Sequence, residues 1–156
     1  MNSEILGSRI VGSTLIVETG DGEERYDENF LVAAILIYVA RGSGRIEQEE
    51  SSLIIDLIEE HFNLQGAESL ELISRALEET TDKPELADLL VGLAPTLTDA
   101  EKEDIAFMGL RVVAADGRRQ VSELEQFSKA MGAMGISPDI VHRAFDRYFD
   151  QTMPGS

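Results

Sequence analysis

The chain has 156 residues, no cysteine, and 30 acidic against 13 basic side chains, which gives a formal net charge of −17. A surface this negative repels phosphate backbones, so nucleic-acid binding is disfavoured, and the absence of cysteine excludes disulfides and thiolate metal sites. Residues 1–9 lack the apolar segment of a signal peptide, and the longest uncharged apolar run, residues 30–40, is too short to span a membrane. We therefore expect a cytoplasmic domain without a membrane span.

The amino-terminal arm, residues 1–26, has the sequence pattern of a β-hairpin. The β-branched and apolar run at 13–19 is followed by Gly20-Asp21-Gly22 and by a second extended run at 23–26. Two extended runs separated by a glycine-rich turn are typical of a hairpin. Because an isolated hairpin is marginally stable in water, the arm is expected either to lie on the helical body or to be mobile.

Helical patterns dominate residues 27–150, where we predict one helical domain followed by a short tail at 151–156. Residues 30–40 are apolar on nearly every face, which is typical of a buried central helix. Thr98 with Glu101, and Ser122 with Glu125, have the spacing of capping boxes that start helices. A further start is predicted at Asp82-Lys83-Pro84-Glu85, because proline is favoured in a first helical turn. Seven helices are expected, beginning near residues 30, 47, 67, 82, 98, 122 and 137.

The last predicted helix, opened by Ser137-Pro138, has two neighbouring apolar rows. The first row consists of Ile140, Ala144 and Tyr148, and the second of Val141, Phe145 and Phe149. Three methionines, Met108, Met131 and Met134, also fall at core spacing and are predicted to be packing residues.

Two helix pairs in the chain resemble each other. Residues 35–40 are followed by Gly42-Ser43-Gly44, Ile46 and Glu50, and residues 108–115 are followed by Asp116-Gly117, Val121 and Glu125. Each unit is a buried helix, a glycine turn, one apolar residue and a glutamate one turn into the next helix. Two copies predict an all-α fold, a pseudo-two-fold duplicated helix–loop–helix bundle of about seven helices.

The second copy carries a family resemblance. Val113-Ala114-Ala115-Asp116-Gly117, with Glu125 at the start of the following helix, resembles the A-A-D-G … E signature of the TerB-like, or tellurite-resistance, family. The resemblance covers about residues 27–150 and leaves the arm outside it. It implies a seven-helix, non-catalytic domain tied to metal and oxyanion stress, in which acidic residues hold a metal ion. Related domains occur at the amino terminus of a membrane-bound J-domain co-chaperone.

Both loops depart from the family signature. In the first copy Ser43 stands where the family has aspartate, with Arg41 and Arg45 beside it, and the second loop contains Arg118 and Arg119. Both changes reduce the negative charge where a cation would bind, above all in the first half of the site.

Asp116, Glu125 and Glu50 are the candidate metal ligands, because carboxylate oxygens suit Ca²⁺, Mg²⁺ or Mn²⁺. The alternative is structural. Asp-Gly is a common way to end a helix, and Glu125 fits a capping box with Ser122 without any metal.

Other polar groups have simpler interpretations. Asp139, His142 and Asp146 share one helix face, which favours local ion pairing in solvent over metal binding. His61 ends a helix, where a cation compensates the dipole. The adjacent pairs Glu59-Glu60 and Glu78-Glu79 are interpreted as solvated faces.

No catalytic or cofactor-binding residue is predicted, since the chain has no phosphate loop, nucleophile elbow or cysteine nucleophile. We predict a non-enzymatic acidic binding domain that acts through a protein partner, with a divalent cation as a second candidate ligand. The resemblance points to membrane-associated stress-response components as partners. The alternative is a small-ligand-binding or enzymatic domain with a pocket between the two central helices, and a structural adaptor without metal is a third interpretation.

Overall fold

Seven α-helices and a three-stranded antiparallel sheet make up the residues that the computed structural model describes, which are 4–41, 48–83, 85–114 and 121–152. The strands are β1 (Ile5–Val11), β2 (Thr14–Thr19) and β3 (Gly22–Tyr26). The helices are α1 (Glu28–Ala40), α2 (Gln48–Phe62), α3 (Gly66–Asp82), α4 (Leu86–Val91), α5 (Asp99–Val113), α6 (Val121–Ala133) and α7 (Pro138–Thr152), with a short 3₁₀ turn at Ala94–Thr96.

Helix α1 lies at the centre of the helical body. It begins at Asp27, whose side chain accepts a 3.1 Å hydrogen bond from the Phe30 backbone N–H, and an acidic side chain favours a helix amino terminus. Its apolar residues face α2, α3, α4, α5 and α6, so almost no face meets solvent. Helix α5 is buried from Ile105 to Val113 and packs directly against α1. The predicted buried central helices are therefore confirmed.

Helix α5 also begins as its sequence predicts. The Glu101 backbone N–H donates to Thr98 Oγ1 at 3.1 Å, and the Thr98 N–H donates to Glu101 Oε1 at 2.9 Å. At α7, the Ile140 N–H lies 3.4 Å from Ser137 Oγ. The capping box at Thr98 is confirmed, and Ser137 occupies the predicted start of the last helix.

One predicted helix start is wrong, and another is displaced by a single residue. Helix α6 begins at Val121, one residue before the predicted start, so Ser122 lies in its first turn. Asp82 ends α3 instead of opening α4, because the Lys83 N–H still donates to the Glu79 carbonyl at 2.9 Å and Lys83 caps α3. Helix α4 starts only at Leu86.

The predicted hairpin is confirmed as β2 and β3, and a further strand, β1, extends it to a three-stranded sheet. Strands β2 and β3 match the two predicted runs, and β1 pairs with β2 through a two-residue turn at Gly12-Ser13, where Gly12 has φ +64°. A positive φ favours glycine, so Gly12 suits this turn. The apolar residues before it were a sequence signal for β1. Tyr26 and Phe30 pack with ring centroids 4.6 Å apart, which fixes the sheet on the helical body.

The predicted duplication rests on loops that the structure does not describe. The Gly-Ser-Gly turn falls within 42–47 and the Asp-Gly turn within 115–120, so the comparison of Gly44 with Gly117 lies outside the described residues. The repeat stays a prediction. No helix in the described ranges is long and apolar enough to cross a membrane.

Candidate functional site

The predicted metal ligands are only partly within the described structure. Asp116 lies outside it, Glu50 is placed by its backbone alone in α2, and Glu125 is exposed on α6. Among the described residues no group of three or more histidine, aspartate or glutamate side chains is arranged to hold a metal ion. One exposed carboxylate does not make a cation site, so the metal site stays a prediction.

The acidic and histidine side chains on α7 form a pair rather than a cluster. His142 Nε2 lies 3.7 Å from Asp146 Oδ2, and both side chains are largely exposed. Asp139 is exposed in the first turn of the same helix. This geometry matches the interpretation as a solvated face with local ion pairing.

An apolar groove of about 480 Å³ runs between α6 and α7. Its floor consists of Phe127, Met131 and Ile136, which are buried, and its wall consists of Val141 and Phe145, which are half-buried. The rim is formed by Ser128, Gly132, Pro138 and His142. A Cβ added at Gly132 would meet no atom within 4 Å, so the groove is open above this residue.

The two apolar rows of α7 explain why the groove exists. Ile140 and Ala144, on the first row, are buried against the body. The second row is covered only in part, and its last member, Phe149, is 41% exposed and stacks on Phe145 at 6.3 Å between centroids. The sequence pattern thus contained a signal for this surface, since α7 has more apolar face than its own packing buries.

A second cavity, of about 240 Å³, lies between α2, α5 and α7 and is polar. Arg147 donates to Asp104 Oδ1 at 2.6 Å and stacks over the Phe107 ring at 4.2 Å. Arg111 lies over the same ring, and the remaining lining residues are Leu57, Glu60, His61 and Met108. The two arginines face two carboxylates, so the cavity has no excess charge that would select a charged ligand.

A third cavity, of about 160 Å³, lies between α1, α4 and α6. Leu31, Ile35 and Met134 belong to its apolar lining, and Asp88 and Lys129 are the charged residues that line it. None of these three cavities is lined by α1 and α5 together, the arrangement expected for a pocket between the central helices.

A buried charged network joins the sheet to α3. Lys83 Nζ lies 3.1 Å from Glu24 Oε2 and 3.3 Å from Glu79 Oε1, and the Lys83 side chain is only 7% exposed. The Tyr26 hydroxyl lies 2.5 Å from Glu24 Oε2 and 2.9 Å from Glu79 Oε1. Arg75 Nε lies 2.8 Å from Glu79 Oε2, although not in hydrogen-bond geometry.

The network shifts the pKa values of its two glutamates in opposite directions. Hydrogen bonds with Glu79 and then Tyr26 lower the pKa of Glu24 to about 2. Burial, and then the contact with Glu24, raises the pKa of Glu79. The Tyr26 hydroxyl has one proton and two carboxylate neighbours, so it can donate to only one of them at a time.

The same two carboxylates also shift the pKa values of Lys83 and Tyr26. Burial acts to lower the pKa of Lys83, but its hydrogen bonds to Glu24 and Glu79 outweigh burial and raise it. Burial and the hydrogen bonds to Glu24 and Glu79 raise the pKa of Tyr26. The prediction that Glu79 lies on a solvated face is therefore wrong: its side chain is 15% exposed and closes the junction between α3 and the sheet.

These features define a predominantly helical domain that has two apolar helices packed at its centre and an added sheet at its amino terminus. The model of the family described as "Tellurite resistance protein TerB" matches residues 29–146, and the chain belongs to this family. The match confirms the resemblance inferred from residues 113–117 and 125, and the family is in general non-catalytic and helical. Neither a curated protein nor a solved structure matched the chain.

Proposed function

We propose that this chain is a non-enzymatic binding domain whose α6–α7 groove receives an apolar segment of a partner protein with basic flanks. The observation that supports this proposal is the groove itself, which has an apolar floor and is open above Gly132. Apolar surface left uncovered on a folded domain is typical of a site for a partner.

The shape of the groove favours an amphipathic helix as the occupant. It follows the boundary between two helices, and an amphipathic helix places anchor side chains at i, i+3, i+4 and i+7 along such a boundary. A volume of about 480 Å³ accommodates two or three such side chains.

The charge of the domain favours basic flanks on the partner. The formal net charge is −17. Among the described residues of the two helices that form the groove, four exposed carboxylates outnumber two exposed basic side chains; they are Glu125, Asp139, Asp146 and Asp150 against Lys129 and Arg143. Opposite charges at the rim of an interface accelerate encounter and exclude acidic competitors.

A variant that fills the groove tests the proposal. Gly132→Leu adds a side chain at the glycine that lines the groove, where a Cβ meets open space, so it obstructs the groove without a clash in the free protein. Gly132→Ala is the matched control, because it makes the same backbone change with a single methyl group. The probe is a fluorescein-labelled amphipathic helical peptide with leucine and phenylalanine anchors and lysine flanks, measured by fluorescence anisotropy.

We expect the wild type and Gly132→Ala to bind the peptide with micromolar affinity and Gly132→Leu to bind at least about tenfold more weakly. Affinity should fall as NaCl is raised, and a peptide with glutamate in place of lysine should bind more weakly. Equal binding by the leucine and alanine variants, or no binding of the lysine peptide, would overturn the proposal.

A divalent cation is a separate part of the proposed function, supported by Asp116, Glu125 and Glu50 in the sequence and by the family. We expect binding to depend on Asp116 more than on the first loop, since Ser43 offers a neutral oxygen beside two arginines. Titration calorimetry of chelator-treated protein tests this with Ca²⁺, Mg²⁺ and Mn²⁺. Asp116→Asn should abolish the heat of binding and Ser43→Asp should increase affinity; a wild type silent at millimolar cation contradicts it.

A further inference from the structure

Strand β1 forms one edge of the sheet. The strand order is β1-β2-β3, and β1 pairs with β2 alone among the described residues. In an antiparallel pair, alternate residues direct their backbone N–H and C=O groups away from the partner strand. An edge of this kind can accept a further strand.

This edge also has the highest concentration of exposed apolar side chains in the described structure. Six large hydrophobic residues are strongly exposed, and three of them, Leu6 at 64%, Ile10 at 43% and Val11 at 57%, belong to this seven-residue strand. Natural edge strands are commonly protected by charged residues or proline. Residues 5–11 contain a single charged residue, Arg9, and no proline. The pairing of β1 with β2 shifts register between Ile5 and Gly7 and is regular from Gly7 to Val11.

Arg9 does not extend freely from the edge, because its guanidinium is held by two carboxylates of the neighbouring strands. Its guanidinium lies 3.1 Å from Glu18 Oε1 and 3.0 Å from Glu23 Oε2. No acidic residue occurs between Glu4 and Glu18. The strand itself therefore adds no negative charge to this edge, in a chain whose net charge is −17.

We propose that the edge of β1 pairs antiparallel with β1 of a second copy of this chain, joining two three-stranded sheets into one of six strands. The strand is self-complementary when Ser8 faces its own equivalent. This register places Leu6 opposite Ile10 of the second copy and Arg9 opposite Gly7, so apolar residues meet and the two arginines do not. A register centred on Arg9 would instead place the two arginines opposite each other.

The dimer should be weak and strengthened by salt. One strand pair buries less than the roughly 1,200 Å² of a stable specific interface, so we expect a dissociation constant on the order of 100 µM. Screening reduces the overall repulsion between two acidic copies. Association should therefore tighten between low and high NaCl, opposite to the salt response of a basic partner in the α6–α7 groove.

Sedimentation velocity over a wide protein concentration range, at low and high NaCl, measures the dimer. Leu6→Lys places a charge on the edge, and Leu70→Lys is the matched control, since Leu70 is 53% exposed on α3. Both variants make the same change of charge and hydrophobicity. Far-ultraviolet circular dichroism should show unchanged helix content in both.

We expect Leu6→Lys to weaken dimerisation at least about tenfold and Leu70→Lys to leave it unchanged. A wild type that stays monomeric at high concentration and high salt overturns the proposal. So does an equal loss in the two variants, which would indicate nonspecific association.

A cross-linking experiment tests the register. The chain has no cysteine, so Ser8→Cys introduces one thiol at the proposed two-fold axis. Facing Cα atoms there would be about 4.5–5.5 Å apart, within disulfide range. Under mild oxidation this variant should form a covalent dimer much faster than Ser52→Cys, an exposed control on α2. Equal rates would overturn the pairing.

Discussion

The junction that joins the sheet to α3 differs from the α6–α7 groove in two respects, its polarity and its exposure to solvent. The junction is polar and enclosed, with Lys83 and Glu79 largely shielded from solvent. The groove is apolar and open. Perturbed carboxylates often mark an active site, but here every charged group of the junction has a partner within the fold. The uncovered surface is the apolar one, and for this reason we assign structural cohesion to the junction and propose recognition at the groove.

Among the substitutions that test this comparison, the largest change in the free energy of unfolding is expected at the junction. Lys83→Met keeps the length and apolar stem of the side chain but removes the cation that lies between Glu24 and Glu79, so that only Arg75, beside Glu79 Oε2, remains. Breaking a buried charge pair in this way costs about 3 kcal/mol in the free energy of unfolding. Urea denaturation followed by circular dichroism measures the change.

The matched control is Lys129→Met, because Lys129 is exposed on α6. Its cost should stay below about 0.5 kcal/mol. Similar losses for the two variants would mean that the network contributes no more than an ordinary surface charge.

An intermediate effect is expected in the pH dependence of stability. The pKa of Glu24 is lowered to about 2 in the folded state, so its contribution is complete above the ordinary pKa of 4.5 and is lost as the pH falls toward 2. The pKa of Glu79 is raised, so its contribution is complete below pH 4.5 and is lost as the pH rises through the raised value. The network should therefore be strongest in mildly acidic solution.

Glu79→Gln isolates the contribution of Glu79 to this pH dependence, because glutamine stays neutral. Relative to the wild type, this variant should gain stability as the pH rises through the raised pKa of Glu79. Urea denaturation at a series of pH values, with the exposed Glu78→Gln as control, measures the difference. Parallel stability curves for wild type and Glu79→Gln would show that Glu79 does not titrate differently in the folded state.

The smallest change in folding stability is expected at the groove, where the substitution should stabilise the protein. Gly132→Ala replaces a helical glycine that has open space at its Cβ, so folding stability should rise by about 0.5 kcal/mol. Thermal unfolding of the variant beside wild type checks this. A destabilised Gly132→Ala would mean that the groove is closed in solution, which removes the contrast with the junction.

Much of the helical body follows from local sequence. The uniform apolarity of residues 30–40 predicts burial on every side, and the Thr98–Glu101 spacing predicts a helix start that the hydrogen bonds confirm. Such features depend on residues a few positions apart, which the chain itself brings together. The A-A-D-G sequence at 114–117 with Glu125, its second occurrence near residues 43–50 and the order of the helices together indicated the family.

The sequence by itself thus determined the helical body and the family, whereas only the tertiary structure decided where charge is enclosed and where apolar surface stays open. Lys83 and Glu24 are 59 positions apart, and Tyr26 and Glu79 are 53 apart, so no periodicity reveals that they meet. Likewise, the second apolar row of α7 is evident from the sequence. Whether Phe145 and Phe149 are covered depends on which helices pack beside them. Burial is set by neighbours distant along the chain, and only folding brings those neighbours into contact.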